Sequence, residues 1–257
     1  MLPIDQLCYS SNLRNVNTEE KMAFSLLTLL ICVISRMVTI AIIALLVNSI
    51  MTVIIGKTPM RYYKKMMIIP LAFLILSTIA IIINISPIPL DAYAIPIGKY
   101  YLTSSRESLR LAFQLIITAL AAVSCLYFLA LSTPLTHIMV VLEKIKCPRV
   151  LIELMILIYR FIFILFSVAS AIQISQQSRL GYHNYRTSIK SFSGLGSVLF
   201  IIAIKRANAV FNSMESRGYD GRINVISEEY PPRIKEIILL ISSQALLISV
   251  WIWSGNI

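Results

Sequence analysis

Residues 150–174 read VLIELMILIYRFIFILFSVASAIQI, and the fold turns on whether this stretch crosses a membrane. It is long enough, since a helix needs about 20 apolar residues to span a bilayer. Yet it carries Glu153, Arg160, Ser167, Ser170 and Gln173, and charges at mid-membrane are costly. Glu153, Arg160 and Ser167 are seven apart, so on a helix they share one narrow polar stripe while the rest of the surface is apolar. Pro148 suits the first turn. The residues alone leave two readings open: a span facing the interior of a bundle, or a cytoplasmic helix lying beneath a membrane domain and against another protein.

The rest of the chain narrows the setting. Of its 257 residues 58% are hydrophobic and only 14% charged, which is too apolar for a soluble domain. An integral membrane protein embedded in the lipid bilayer is expected. The net charge of +11 does not indicate nucleic acid, because the basic residues are dispersed between apolar runs without aromatic platforms. Basic loops on the cytoplasmic side of a membrane account for the excess. Cys8, Cys32, Cys125 and Cys147 match no metal or redox spacing. Cys32 and Cys125 sit inside apolar runs, where they act as small hydrophobes. The first twenty residues include Asp5, Arg14, Glu19 and Glu20, the wrong character for a cleavable signal.

Met22 to Ile55 is too long for one span and reads as two short helices hinged near Arg36. Lys57, Arg61, Lys64 and Lys65 follow with no acid between them. Met66–Ile85 forms a third span, residues 86–106 a proline-containing loop, and Leu109–Leu131 a fourth span. The four-cation loop belongs inside, which places the N-terminus in the cytoplasm and returns the chain there after Ser132. From Thr133 to Lys235 there are 13 of the 23 basic residues against six acids, in agreement. Lys235–Trp253 is the last span, with Trp251 and Trp253 at interface depth.

Two helix ends stand out in the basic region. From about Leu199, apolar Phe200, Ala203, Ile204, Ala207, Phe211 and Met214 recur at helical spacing. That helix runs into Met214-Glu215-Ser216-Arg217-Gly218-Tyr219-Asp220-Gly221-Arg222, where Gly218 offers a left-handed stop. Arg217 is thus held at the carbonyl end of a helix dipole. Earlier, Gln176-Gln177-Ser178-Arg179-Leu180-Gly181 closes the 150–174 helix with the same Ser-Arg pair. Lys190–Ser197, with Gly194 and Gly196, reads as a linker between the two.

These residues resemble the CbiQ family, the transmembrane T components of energy-coupling factor (ECF) transporters for cobalt or nickel. The likeness runs end to end, through the Ile4–Arg14 opening, Thr133-Pro134-Leu135, Glu153-Leu154 with Tyr159-Arg160-Phe161, and the Arg-Gly-Tyr-Asp-Gly run at 217–221. The family's paired Ala-Arg-Gly signatures correspond to Ser178-Arg179-Leu180 and Ser216-Arg217-Gly218. Both alanines are serine here, and the first glycine is leucine, with Gly181 one place later.

The resemblance implies an all-α integral membrane protein with about five transmembrane helices and a cytoplasmic domain of crossed coupling helices inserted before the last span. Residues 1–132 would hold the polar lead and four spans, 133–234 the coupling domain, and 235–257 the final span, all in the cell membrane. It implies a coupling role without catalysis, in which two CbiO-like ABC ATPases act through the chain on a CbiM-like substrate-binding subunit, with or without a CbiN-like companion. Ser178, Arg179, Ser216, Arg217 and Gly218 would meet the ATPases, supported by Glu215, Tyr219, Asp220, Arg222, Arg160 and Glu153. No Gly-x-x-x-x-Gly-Lys phosphate loop is present, as a subunit energised by partners requires. His137 and His183 lack acids or cysteines at ligand spacing, so no metal or cofactor site is expected in this chain. The alternatives are the same role for nickel or a vitamin. A stand-alone carrier would need ionisable residues inside its first four spans, and they hold almost none beyond Arg36 and Arg110 near their edges.

Overall fold

A computed structural model describes residues 3–82, 84–86, 93–97, 100–221, 223, 231 and 233–255. The chain divides into two compact units, residues 1–138 with 228–257, and residues 139–227.

The first unit opens with α1 (Pro3–Ser10) and a short 3-10 turn (Asn12–Asn15), then α2 (Thr18–Ser35). Asn17 caps α2 by accepting from the Glu19 amide, and Glu19 and Glu20 complement its positive end. The expected hinge is at Arg36, whose left-handed φ of 48° ends α2. The Gln114 side-chain amide donates to the Arg36 carbonyl freed by that break. α3 (Val38–Ile50) follows and closes with a π-helical turn, Met51–Ile55. α4 (Met60–Ile82) starts six residues earlier than the sequence suggests, so Arg61, Lys64 and Lys65 lie in its first turns. α5 (Arg106–Ser132) is central, packed against α1 to α4, while α9 (Ile234–Gly255) packs on α2 and α3.

The 86–106 stretch is more than a loop. Strands β1 (Asn84–Ser86), β2 (Tyr93–Ile97) and β3 (Tyr100–Ser104) form an antiparallel sheet in the order β1-β3-β2. Pro96 falls in β2, an edge strand, where its missing N–H costs no ladder bond to a further strand.

Where α2, α3 and α5 meet, the contact is made by small residues: Cys32, Ala41, Ala44 and Ala121 are fully buried. Without a hydrophobic effect in lipid, such residues let backbones approach and gain dispersion contacts. Polar side chains tie α2 to α5 and to α9. Ser25 donates to the Cys125 carbonyl at 2.8 Å, and the Gln244 amide donates to Thr28 Oγ1 at 2.7 Å. The outer surface is apolar instead: Ile69, Phe73 and Leu76 of α4 are about 70% exposed, as a lipid-facing helix requires.

Among the described residues, five helices are long and apolar enough to cross a membrane: Val38–Ile55, Met60–Ile82, Arg106–Ser132, Arg149–Ser178 and Tyr185–Glu215. The protein is a multi-pass, helical membrane protein. The set differs from the five expected, since α2 carries three charges in its first turn and α9 is apolar over a shorter stretch.

At the start of α2, Lys21 is 3% exposed and donates to the carbonyls of Leu13 (2.8 Å) and Ser132 (3.0 Å). It closes the 3-10 turn onto the end of α5. Burial pushes its amine down to about 8 from 10.5, so between those values the unfolded chain binds more protons than the folded one. Stability in detergent should therefore rise with pH from about 8. Burial pushes the Cys8 thiol up to about 11 from 9.0, which opposes the trend above pH 9. Lys21→Met takes the lysine donor from the buried Ser132 carbonyl and leaves the Leu13 carbonyl with only the Val16 amide, and should cost roughly 1–3 kcal/mol, read as a lower melting temperature.

The second unit holds α6 (Leu135–Lys144) in part, α7 (Arg149–Ser178) and α8 (Tyr185–Glu215). The Lys190–Ser197 linker does not exist. α8 starts at the Asn184 cap, where Asn184 and Thr187 bond each other's backbones reciprocally, and it runs unbroken through Gly194 and Gly196. A Cβ at either glycine would meet nothing within 4 Å, so neither marks a close contact or a break.

Candidate functional site: two matched helix ends

α7 and α8 form an antiparallel hairpin joined by residues 179–184. Their C-terminal ends correspond bond for bond. At the first, the Gly181 amide donates to the Gln176 carbonyl at 2.8 Å, and Leu180 to Gln177 at 3.0 Å. At the second, the Tyr219 amide donates to Met214 at 3.0 Å, and Gly218 to Glu215 at 3.0 Å. Ser178 Oγ bonds the Ile174 carbonyl, and Ser216 Oγ the Asn212 carbonyl, each four residues back. Both ends are the Schellman turn, in which a left-handed residue lets the next amide reach back five positions.

The left-handed residue is Leu180 at the first end (φ 57°) and Gly218 at the second (φ 74°). Arg179 aligns with Arg217 in consequence, and Leu180, not Gly181, occupies the position of Gly218. Leu180 is 71% exposed and gains nothing from burial to offset its backbone. Leu180→Gly should therefore raise the stability of this unit by roughly 1 kcal/mol, measurable as slower proteolysis of the 179–184 turn. Gly181 is needed for another reason: a Cβ there would lie 2.7 Å from Ser191 Oγ and 2.8 Å from the Gln176 carbonyl oxygen.

Each turn is braced by the other helix. At the first, Ser191 Oγ donates to the Gly181 carbonyl, Gln176 Nε2 to the Ser191 carbonyl, and Tyr182 Oη to Gln176 Oε1, at 2.7–2.9 Å. At the second, Tyr219 Oη donates to Glu153 Oε2 at 2.7 Å. That bond holds the Tyr219 hydroxyl above its ordinary pKa, because losing the proton would set two anions together. The Glu153–Tyr219 pairing joins two residues singled out from sequence, whereas Gln176, Tyr182 and Ser191 were missed. Polar residues in a helical hairpin carry no periodic signal.

Arg179 and Arg217 are exposed, and neither makes an ion pair among the described residues. Glu215, Asp220 and Arg160 are exposed as well, with Arg160 making no bond to Glu153 one stripe position away. Gly221 is also left-handed, at φ 86°. Arg222 lies outside the described residues. His137 is buried and His183 exposed, and the described residues contain no cluster of three or more His, Cys, Asp or Glu that could hold a metal ion.

Residues 9–228 match the family model CbiQ, described as cobalt transport protein. An uncharacterised protein of Methanocaldococcus jannaschii is 31% identical over 92% of this chain and 88% of its own. The fused cobalt transport protein CbiMQ of Methanocorpusculum labreanum, named as putative, is 34% identical over 88% of this chain and 38% of its own length. The cobalt transport protein CbiQ of Salmonella typhimurium is 27% identical over 86% of this chain and 98% of its own. With more than four-fifths of its length matched, the chain belongs to the CbiQ cobalt transport protein family.

Proposed function

We propose that this protein is the transmembrane coupling (T) subunit of an ECF-type ABC importer for cobalt. The observation that carries the reading is the matched pair of helix ends, each presenting in its Schellman turn an exposed arginine that makes no ion pair among the described residues. An exposed arginine held in such a turn is a handle available to a partner. Its guanidinium stays charged and offers a planar fork of donors to carboxylates and carbonyls. The partners with which the reading agrees are two CbiO-like ATPases, one at Arg179 and one at Arg217. A CbiM-like subunit is the substrate-binding partner, a pairing suggested by the fused relative that carries both names.

ATP closing the ATPase pair would move the grooves holding the two arginines. Helices of about 45 Å would carry the shift as levers, with the exposed Phe166, Phe200, Ile204 and Phe211 available to a neighbouring membrane subunit. Ser178 and Ser216 tie each turn to its helix, and Gly218 supplies one reversal. Glu153 and Tyr219 keep the second handle fixed against α7; Asp220 and Arg222 would contribute at the ATPase rim, with Glu215 and Arg160 beside them. The cytoplasm is the side assigned to residues 133–234 on the weight of basic residues there, and to the N-terminus because the loop with Lys57, Arg61, Lys64 and Lys65 belongs inside.

Co-expression with CbiO-like and CbiM-like subunits, followed by ATP-dependent uptake in vesicles, tests the reading. Cobalt accumulation that needs all components is expected, with nickel competing less well. Uptake by the isolated chain without an ATPase would mean a stand-alone carrier.

A further inference from the structure

The coupling role uses Lys57, Arg61, Lys64 and Lys65 only as a marker of sidedness, yet the fold sets all four, exposed, at the turn from α3 into α4. None makes an ion pair among the described residues. No acid occurs in the sequence between Glu20 and Asp91, and α5, on which α4 packs, carries no charged residue from Leu111 to Ser132. No carboxylate of α3, α4 or the adjoining part of α5 therefore offsets the four cations.

The turn that carries them is held in place. Ser11 Oγ donates to the Gly56 carbonyl at 3.1 Å and the Thr58 amide to the Thr52 carbonyl at 3.3 Å, with Lys57 between them at a left-handed φ of 52°. Ser49 and Tyr63 share a hydrogen bond of 2.9 Å, which ties the end of α3 to the first turn of α4. Tyr63 and Thr78 are the buried residues of α4 and fix which way it faces. On the opposite side, at about 3.6 residues per turn, Arg61, Lys65, Ile69, Ala72 and Leu76 fall in one line, and all five are exposed. The charges of α4 end at Lys65, and from Met66 to Ile82 it has none. That boundary is headgroup depth, the level that suits the exposed Tyr62 as well.

We infer that this outer face of α4 binds an anionic phospholipid, with its phosphate on Arg61 and Lys65 and its acyl chains along Ile69, Ala72 and Leu76. Arg61 offers a planar fork to two phosphate oxygens, and Lys65 adds a point charge one turn deeper. Lys57 and Lys64 flank the pair and strengthen the local field. Charge complementarity selects the occupant: a zwitterionic lipid brings its own cation to a patch that already has four, and an anionic one does not. The apolar line beneath the cations selects it again. A soluble acidic protein could meet Arg61 and Lys65 but would leave Ile69 and Leu76 uncovered, whereas a lipid carries its charge and its tails along the same axis. The inference needs the membrane setting but not the coupling role.

The test is native mass spectrometry of the full-length chain titrated with phosphatidylglycerol, phosphatidylcholine of matched acyl chains, or glycerol phosphate. At roughly fivefold in affinity for each cation, the two in line should retain phosphatidylglycerol about twenty-fivefold more tightly than phosphatidylcholine. Arg61→Gln with Lys65→Gln should abolish that preference, and Arg106→Gln with Arg110→Gln, exposed cations at the start of α5, should leave it intact. None of these side chains makes an ion pair among the described residues, so folding is not at risk, and circular dichroism checks it. Equal retention of the two lipids, or an equal loss in both variants, would overturn the inference, since no single site would then exist. Glycerol phosphate binding as tightly as phosphatidylglycerol would overturn it too, because the tails would contribute nothing. So would a lipid preference that survives Arg61→Gln with Lys65→Gln while co-purification of a CbiM-like or CbiO-like subunit is lost, which would make the patch a protein interface.

Discussion

Arg217→Glu is expected to abolish ATPase co-purification and cobalt uptake while the chain inserts in the membrane in normal amount. The side chain is exposed and contributes to folding only through the dipole of α8, roughly 0.3–1 kcal/mol. At an interface the same charge matters far more: removing one partner of a buried, hydrogen-bonded charge pair costs about 2–5 kcal/mol, or ~30-fold to several-thousand-fold in affinity. Reversal adds repulsion against whatever acid the groove presents. Arg179→Glu should do the same, because the two turns share one backbone bond pattern. Normal co-purification of the ATPases with Arg217→Glu would remove the basis of the coupling role. Measuring insertion and co-purification in one preparation separates lost docking from lost folding.

Gly181→Val should cripple transport through a different link in the chain of causes. A Cβ at this position collides with Ser191 Oγ and with the Gln176 carbonyl oxygen. The backbone oxygen cannot swing away as a flexible side chain would. The turn must open, and with it go the hydrogen bonds of Gln176, Tyr182 and Ser191 that brace Arg179. Overpacking of this kind typically costs about 1–3 kcal/mol. The expected readout is rapid proteolysis between 179 and 184 and at least tenfold slower cobalt uptake, a factor equal to ~1.4 kcal/mol. Gly218→Ala makes the matching control: its φ of 74° is unfavourable for alanine, but nothing lies within 4 Å of the added Cβ. Its penalty of about 1 kcal/mol would come from the dihedral alone. A protease-resistant, fully active Gly181→Val would show that the first turn needs no brace.

Much of this architecture was written in local chemistry. The break at Arg36 could be read because the 34-residue run Met22–Ile55 exceeds one span, and the start of α7 to within a residue because Pro148, which caps it, ends the preceding segment. The register of the two helix ends was legible in the shared Ser-Arg pair. Which residue reverses the chain after Arg179 was not, since a leucine adopts the left-handed state only when its surroundings impose it. The same logic hid the start of α8. Gly194 and Gly196 look like breakers, but a helix begun ten residues earlier by Asn184 and Thr187 absorbs them at about 1 kcal/mol each. The sheet at 84–104 escaped notice because its prolines suggest a loop, and only the edge position of β2 makes Pro96 tolerable.

Sidedness and partner contact at the two handles can be measured together, with Ser178→Cys and Ser216→Cys labelled by a membrane-impermeant maleimide in oriented vesicles. The four native cysteines are first replaced by serine or alanine. Labelling of both positions from the cytoplasmic face alone, with protection when CbiO-like ATPases are bound, is the result expected of two docking handles. Labelling from the external face, or equal labelling with and without the ATPases, would contradict it.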